Sequence, residues 1–552
     1  MPSLRVVQTD HHQLGDILLF GEGWAADSVR LTIDGKDFLR ISAFTGAVSG
    51  STVQPLDGRF LLLAWLPAST AGDVSIEAHE TAGQGRTETA ALRLPPASAW
   101  PLPPASRDPA AQLRDFDQQR GRDRNPGSRL QAVRDVQAAR SKQQRGPRGA
   151  ANWTPVGPQT IWNGPTLATF PPSPRAGETS PVSGRVTALA VDPISPSTIY
   201  AGAAQGGIWK STDRGVTWDA KSDFEVSLAI GSLVAVKQTV NGVDSTRLYV
   251  GTGEANFVDD SYYGAGLLRS DDGGKTWTSL AASVFERCHI GAIVVDPGNG
   301  NADHLFTGSN KGLAESTDSG ASWTFHPLGG TQSYTVTGLA LATINNKLQV
   351  LAGIYGGVVG VFDVSSSSWT TLTREGAGVT TRITLAAAPA DPQTVYAAFG
   401  SPGPIYGIYK TPDFGNAWQQ VSVPQGTKNS TYGLTLAVDP GDSNIVMLGE
   451  IGMWRSVNGC NNWTDVSLGT SATANVALHV DQHAIAFDST TTPSRVYVGN
   501  DGGVWRSDDG CANWVSLNKG MQITQFNSMD TSGPAVMLAG SQDNGSMGWF
   551  GN

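Results

Sequence analysis

Three short segments gather most of the side chains here that could do chemistry: His479-Val-Asp481-Gln-His483, Gly499-Asn500-Asp501-Gly-Gly503 and Gln542-Asp543-Asn544-Gly545. Glu254 and Asn256, in Gly-Thr-Gly-Glu-Ala-Asn, and His289 join them. Carboxylates such as Asp481, Asp501, Glu254 and Asp543 can supply the acid and the base of glycoside hydrolysis. Imidazoles beside a carboxylate or an amide, here His289, His479 and His483, are a ligand set for a divalent metal that polarises a substrate oxygen. Asn256, Asn500, Gln542 and Asn544 can bind a ligand through both amide atoms. The same residue types also satisfy buried backbone groups where strands begin. Gly-Asn-Asp-Gly-Gly is moreover a turn sequence in its own right. Acid–base work, metal binding, plain ligand binding and structural bonding therefore stand side by side at these positions.

The elements that must position these groups recur along the chain. Ser211-Thr-Asp213-Arg-Gly215-Val-Thr217-Trp218 and Ser270-Asp-Asp272-Gly-Gly274-Lys-Thr276-Trp277 are the clearest of seven copies, the others closing on Trp323, Trp369, Trp418, Trp463 and Trp514. The tryptophans are 45 to 59 residues apart, and strand-like runs fill the intervals. That period predicts small sheets arrayed around an axis, an all-β propeller. Within a copy, the hydroxyl and carboxylate bond backbone N–H groups of a tight turn. The Gly supplies a conformation that side chains resist, and the Trp is an apolar plate for wedging between sheets. The fourth copy, ending Ser-Ser-Ser-Ser-Trp369, loses the regular turn; the sixth and seventh carry Cys460 and Cys511 where earlier ones have Gly. Those two occupy equivalent turns of adjacent sheets, so no disulfide between them is expected.

The strand order in each repeat is A, B, C, box, D. Antiparallel alternation puts the boxes and A–B turns on one face, and the B–C and D–A connections on the other, near the channel. All the candidate residues fall in the latter. Three of the eight histidines lie at the heads of A strands.

The pattern S-x-D-x-G-x-[TS]-W resembles the Asp-box, or BNR, repeat shared by sialidases, two-propeller xyloglucanases, sortilin-type receptors and a photosystem assembly factor. The resemblance covers roughly residues 150–552 and implies the fold, while leaving activity open. The segments around His479, Asn500 and Gln542 are similar to stretches of large bacterial BNR proteins named glycosyl hydrolase or sortilin-like. The Phe/Tyr-Arg-Ile-Pro segment of sialidases has no counterpart. In xyloglucanases the resemblance implies a catalytic Asp after the first B strand, and here Ala204 takes that place. His289, His479, His483 and Gln542 are similar in kind to the His/Gln metal site of some uronide lyases. Three functions follow: a carbohydrate-active, glycoside hydrolase-like propeller that binds or cleaves a glycan at the channel face; a non-catalytic scaffold for a protein or peptide; or a metal-dependent lyase or isomerase. Tyr262, Tyr263, Tyr355 and Tyr406, in or near B–C segments, can stack on sugar rings or pack between blades.

Residues 1–95 read as a small immunoglobulin-like β-sandwich, with strands around 29–34, 59–65 and 74–79. Residues 96–150 read as a Pro-rich, then basic linker, part helical around Leu130, Val133 and Val136, with nine Lys/Arg between Arg120 and Arg148. Residues 151–552 form the propeller. Asn152-Trp153 resembles the end of a box with an outer strand, and Ile523–Asn552 supplies inner strands without a box. Those ends build a shared eighth blade; seven blades with a peripheral tail is the alternative. The net charge of −10 excludes nucleic acid or an anionic membrane as partner of the main body. No apolar run reaches the length of a membrane span. The amino terminus shows no apolar h-region, which reads as cytoplasmic unless a leader precedes Met1.

Overall fold

The computed structural model describes ten backbone strands between Ser3 and Leu94, and residues 160–167, 179–256, 261–296, 298, 302–329, 334–374, 380–471, 476–531 and 537–549. The chain divides into two compact units, Met1–Gln119 and Arg120–Asn552. The division falls inside the stretch read as a linker. All of that stretch, with the helix expected around Leu130, Val133 and Val136, and the Asn152-Trp153 segment lie outside the described residues.

The first unit holds two antiparallel sheets. One runs Ser3–Gln8, Asp16–Glu22, Phe60–Trp65, Arg40–Thr45; the other Thr87–Leu94, Gly72–Glu80, Val29–Ile33, Thr52–Gln54, Ala47–Ser49, with Lys36–Asp37 hairpinned onto Val29–Ile33.

The second unit contains seven consecutive four-stranded antiparallel sheets, blades 1 to 7, over residues 186–220, 230–280, 290–326, 336–374, 383–421, 435–465 and 482–516. Their A strands pack each against the next, and Gln482–Asp488 of blade 7 packs against Val186–Val191 of blade 1. Among the described residues the ring closes with seven sheets, in line with the seven-blade alternative and not the shared eighth blade. The terminal sheet of Phe526–Thr531, Met537–Ser541 and Gly545–Trp549 lies outside it. All six residues of Phe526–Thr531 are exposed, unlike any described inner strand of the ring.

Closure is mainly by side chains. Val186, Leu189, Ile199, Ala201, Trp209 and Trp218 of blade 1 share one buried cluster with Ala484, Tyr497, Val504 and Leu517. The boxes repeat this device around the ring. In the first box, Ser211 Oγ accepts the Gly215 N–H at 2.8 Å, and Asp213 accepts the Thr217 N–H at 2.9 Å and its hydroxyl at 2.6 Å. The Thr217 bonds hold the Asp213 carboxyl down at about 2. Six boxes place two successive residues in the left-handed region, as in Arg214-Gly215 (φ 62° and 86°) and Gly510-Cys511 (70° and 71°). Only Ser367 does so in the fourth, irregular box. Several closing indoles reach back to the preceding blade: Trp277 Nε1 donates to Lys221 O at 2.8 Å, Trp514 to Val466 O at 2.7 Å, and Trp218 to Leu517 O at 2.8 Å, across the closure, whereas Trp323 bonds Gly320 O of its own box at 2.9 Å. Cys288, Cys460 and Cys511 are buried free thiols. No helix among the described residues is long and apolar enough to cross a membrane.

Candidate functional site

The side chains that meet at the channel face come from connections of several blades. Arg185 immediately precedes strand A of blade 1, Glu254 follows strand B of blade 2, and Tyr432 precedes strand A of blade 6. Asp481 to His483 head strand A of blade 7, Asp501 follows its strand B, and Gln542 to Asn544 form the second turn of the terminal sheet.

Arg185 is the hub, at 1% exposure. Its Nε donates to Asp501 Oδ1 at 3.0 Å and its Nη1 to Glu254 Oε1 at 2.6 Å. Asp501 also accepts His483 Nε2 at 2.7 Å and the Tyr432 hydroxyl at 2.6 Å. The guanidinium lies 5.1 Å from the Tyr432 ring centroid, and Tyr432 meets the His483 ring edge-on at 4.9 Å. A buried cation needs such pairing, since an uncompensated one costs several kcal/mol. Burial raises the Asp501 carboxyl, but Arg185 and His483 outweigh this and leave it well below the usual carboxylate range. Asp501 and Glu254, read from the sequence as acid or base, are here buried counter-ions of Arg185.

Asp481 and Asp543 differ. One carboxylate oxygen from each of Asp481, Asp501 and Asp543 lies within 4.8 Å of the others. Asp481 is half-buried and Asp543 exposed. Burial, then the charges of Asp501 and Asp543, push Asp481 up to about 8. Partial desolvation within the cluster, although its side chain reaches solvent, and then its interaction with Asp501 push Asp543 up to about 7. Gln542 Nε2 donates to Asp543 Oδ2 at 2.9 Å. Asp481 and Asp543 also sit in left-handed backbone, at φ 62° and 53°.

Among the described residues the three histidines read as metal ligands do not form one group of donors. His483 is spent on Asp501. His479 is buried, its Nδ1 at 3.1 Å from Val480 O, beneath Gly502, where a Cβ would come within 2.6 Å of the imidazole Cγ. His289 stacks on Tyr263 with ring centroids 4.6 Å apart. Burial lowers all three below the ordinary imidazole value. Among the described residues the Asp trio is the one grouping of three such donors. Asp501 has its oxygens committed to Arg185, His483 and Tyr432, so no three-ligand cage is left.

The amides divide similarly. Asn256 donates to Glu254 at 2.7 Å, and Asn544 to the Asp501 carbonyl at 2.9 Å. Asn500 donates to Gln482 at 3.1 Å. All three are buried, so they brace the site; Gln542 alone of the four amides is half open. Arg185, Tyr432 and Arg382, whose Nη1 donates to Tyr432 O at 3.0 Å, escaped the sequence reading. The signal for two of them was positional. The residue just before strand A is Arg185, His289, Arg382 or Asp481 in blades 1, 3, 5 and 7, and only the histidine and the aspartate were singled out.

A closed ring of antiparallel sheets with a carboxyl cluster on its channel face defines a β-propeller protein. No protein-family model matches the chain. Among curated proteins it is similar to a xyloglucanase of Paenibacillus sp, 23% identical over 338 residues, covering 57% of this chain and 29% of that protein. It is also similar to a xyloglucanase of Hypocrea jecorina (strain QM6a), 30% identical over 128 residues, covering 19% of this chain and 14% of that one. The chain thus matches less than a third of each relative's length. Among solved structures, the GH74 enzyme of Niastella koreensis superposes with a TM-score of 0.50 at 19% identity, over 67% of this chain and 59% of that one. An ancestral GH74 enzyme does so with 0.50 at 17% identity, over 73% and 55%. These structures share the propeller fold.

Proposed function

We propose that this protein is a carbohydrate-active, glycoside hydrolase-like propeller of the Asp-box type that engages a glycan at the channel face. The observation that carries the reading is the Asp481–Asp543 pair. Two carboxyls, partly open to solvent, titrate near neutrality beside a third that is kept ionised. A coupled pair with apparent values near 7 and 8 holds one proton between them. One member can then protonate a glycosidic oxygen while the other, ionised, attacks the sugar, the role that suits carboxylates this close together. Both curated relatives bear the name xyloglucanase, which supports the substrate class. We further assign the amino-terminal unit to the immunoglobulin-like sandwiches, on its two antiparallel sheets.

One observation favours a second reading, binding without cleavage. Ala204, where the resemblance to xyloglucanases implies a catalytic Asp, is fully buried, its N–H donating to Arg185 O at 3.0 Å. Reducing-end release from a panel of neutral polysaccharides, by wild type and by D481N and D543N, separates the two. Release that falls at least a hundredfold in both variants supports hydrolysis. Retention of glycans without release supports the binding reading, and neither retention nor release refutes the glycan assignment.

A further inference from the structure

The ring sorts its exposed apolar side chains by face. At the boxes, the strands beside them and the A–B hairpins they are aliphatic: Ile194, Val216, Val240, Val243, Val457 and Val515. On the channel face they are aromatic. Of the eleven tyrosines in the sequence, the three most open, Tyr263, Tyr355 and Tyr406, are 55%, 45% and 41% exposed. Each occupies the B–C connection of its blade: blades 2, 4 and 5. Phe224, 39% exposed, adds a fourth ring from the D–A connection after blade 1.

These tyrosines are held in place. The Tyr263 loop is pinned by Gly264 N–H to Cys288 O at 2.8 Å and Glu254 N–H to Tyr262 O at 3.0 Å, and its ring rests on His289. Tyr355 N–H donates to Thr335 O and Tyr406 N–H to Phe399 O, both at 2.9 Å. An exposed aromatic ring on a fixed backbone is a stacking platform that costs little ordering to use. Because Glu254 itself bonds Arg185, the Tyr263 platform adjoins the carboxyl cluster.

We propose that Tyr263, Tyr355 and Tyr406 form an arc that binds a neutral, extended polysaccharide chain across blades 2 to 5, beside the carboxyl cluster. This rests on the glycan reading above and deepens it. A monosaccharide or disaccharide reaches one platform; rings on three blades require a polymer. The apolar faces of pyranose rings match the tyrosine faces. Neutrality follows from charge: Asp501 beside the arc is held ionised and the chain carries −10 overall, so a polyuronate is repelled.

The test is calorimetric binding by the full chain of cellobiose, cellohexaose and polygalacturonate, with affinity electrophoresis on neutral β-glucan, xylan and mannan. Wild type is expected to bind the neutral hexamer or polymer at least tenfold more tightly than the dimer, and polygalacturonate least. Y263A, Y355A and Y406A are each expected to weaken hexamer or polymer binding by about three- to tenfold, with the dimer unchanged. V457A, on the box face, is expected to bind as wild type. A triple variant that binds the polymer undiminished, or preference for polygalacturonate, overturns the arc and leaves the glycan reading standing. Wild type that binds none of the neutral glycans overturns both.

Discussion

Replacing Asp501 with Asn removes one buried negative charge and almost no volume. Its carboxylate lies within 4.8 Å of those of Asp481 and Asp543. At that distance and an effective dielectric near 20, one unit charge acts on another with about 3 kcal/mol, or as much as about two pKa units. Apparent values that stand at about 8 and about 7 should therefore fall, together, toward the ordinary carboxylate range. Both groups have folded values above those of an unfolded chain, so the native state binds the extra protons. Their contribution makes stability decline as pH rises from about 4 through about 8. D501N should flatten that decline. It also takes one counter-ion, Asp501, from Arg185, at a cost of about 3 kcal/mol, the low end for breaking a buried pair. Infrared titration of the carboxyls, with urea unfolding at several pH values, reads both effects without a substrate. A folded D501N protein whose carboxyls still titrate between 7 and 8 would refute the electrostatic reasoning.

Three further outcomes are expected. Release of reducing ends by wild type should follow a narrow bell with limbs near 7 and 8, because the singly protonated pair is the active form; a flat profile across that range contradicts it. W218F should cost about 1 kcal/mol and speed hydrogen exchange in both Val186–Val191 and Gln482–Asp488, since its indole spans the closure; exchange confined to its own box would count against that role. On blade 3, His304 places Nε2 2.8 Å from Glu315 and Nδ1 3.3 Å from Asp296, and these bonds, the Glu315 one foremost, raise its pKa. That stability is fully present below about 6.5 and is lost as pH rises through the raised value, so wild type should weaken above neutrality and E315Q should lose that dependence; equal pH dependence of the two melting curves would refute it.

What the sequence disclosed was what local chemistry dictates. The hydroxyl, carboxylate and left-handed residue of each box act within eight positions, so the turn, the period and the face of each connection could be read directly. Blade number could not, because it depends on whether Leu517, Tyr497 and Val504 meet Trp209 and Trp218 three hundred residues away. The site shows the same divide. Asp501 and Asp543 follow equivalent strands of neighbouring sheets, each flanked by an amide residue, and nothing nearby in sequence tells them apart. Arg185 does so in space, by claiming one and leaving the other at the surface.

That choice has a structural logic. Every four-stranded sheet of the ring is built from consecutive strands, so no strand is exchanged between the first blade and the last. The closure must be held by other means, and it is where the charges converge: Arg185 of blade 1 on Asp501 of blade 7, with Ser183 N–H on Gly502 O at 2.7 Å and Arg506 Nη1 on Arg214 O at 2.8 Å. A buried ion pair is a poor source of net stability but penalises misregister heavily, which suits a seam that must close one way. The same pair fixes an ionised carboxylate next to Asp481 and Asp543, and its field is part of what lifts them toward neutrality. Asn544, bonded to the Asp501 carbonyl, ties the terminal sheet to this seam and brings Asp543 within reach. The groups that close the ring are therefore those that tune its titratable pair, and a substitution that loosens the closure should shift the proton equilibrium before it unfolds the blades.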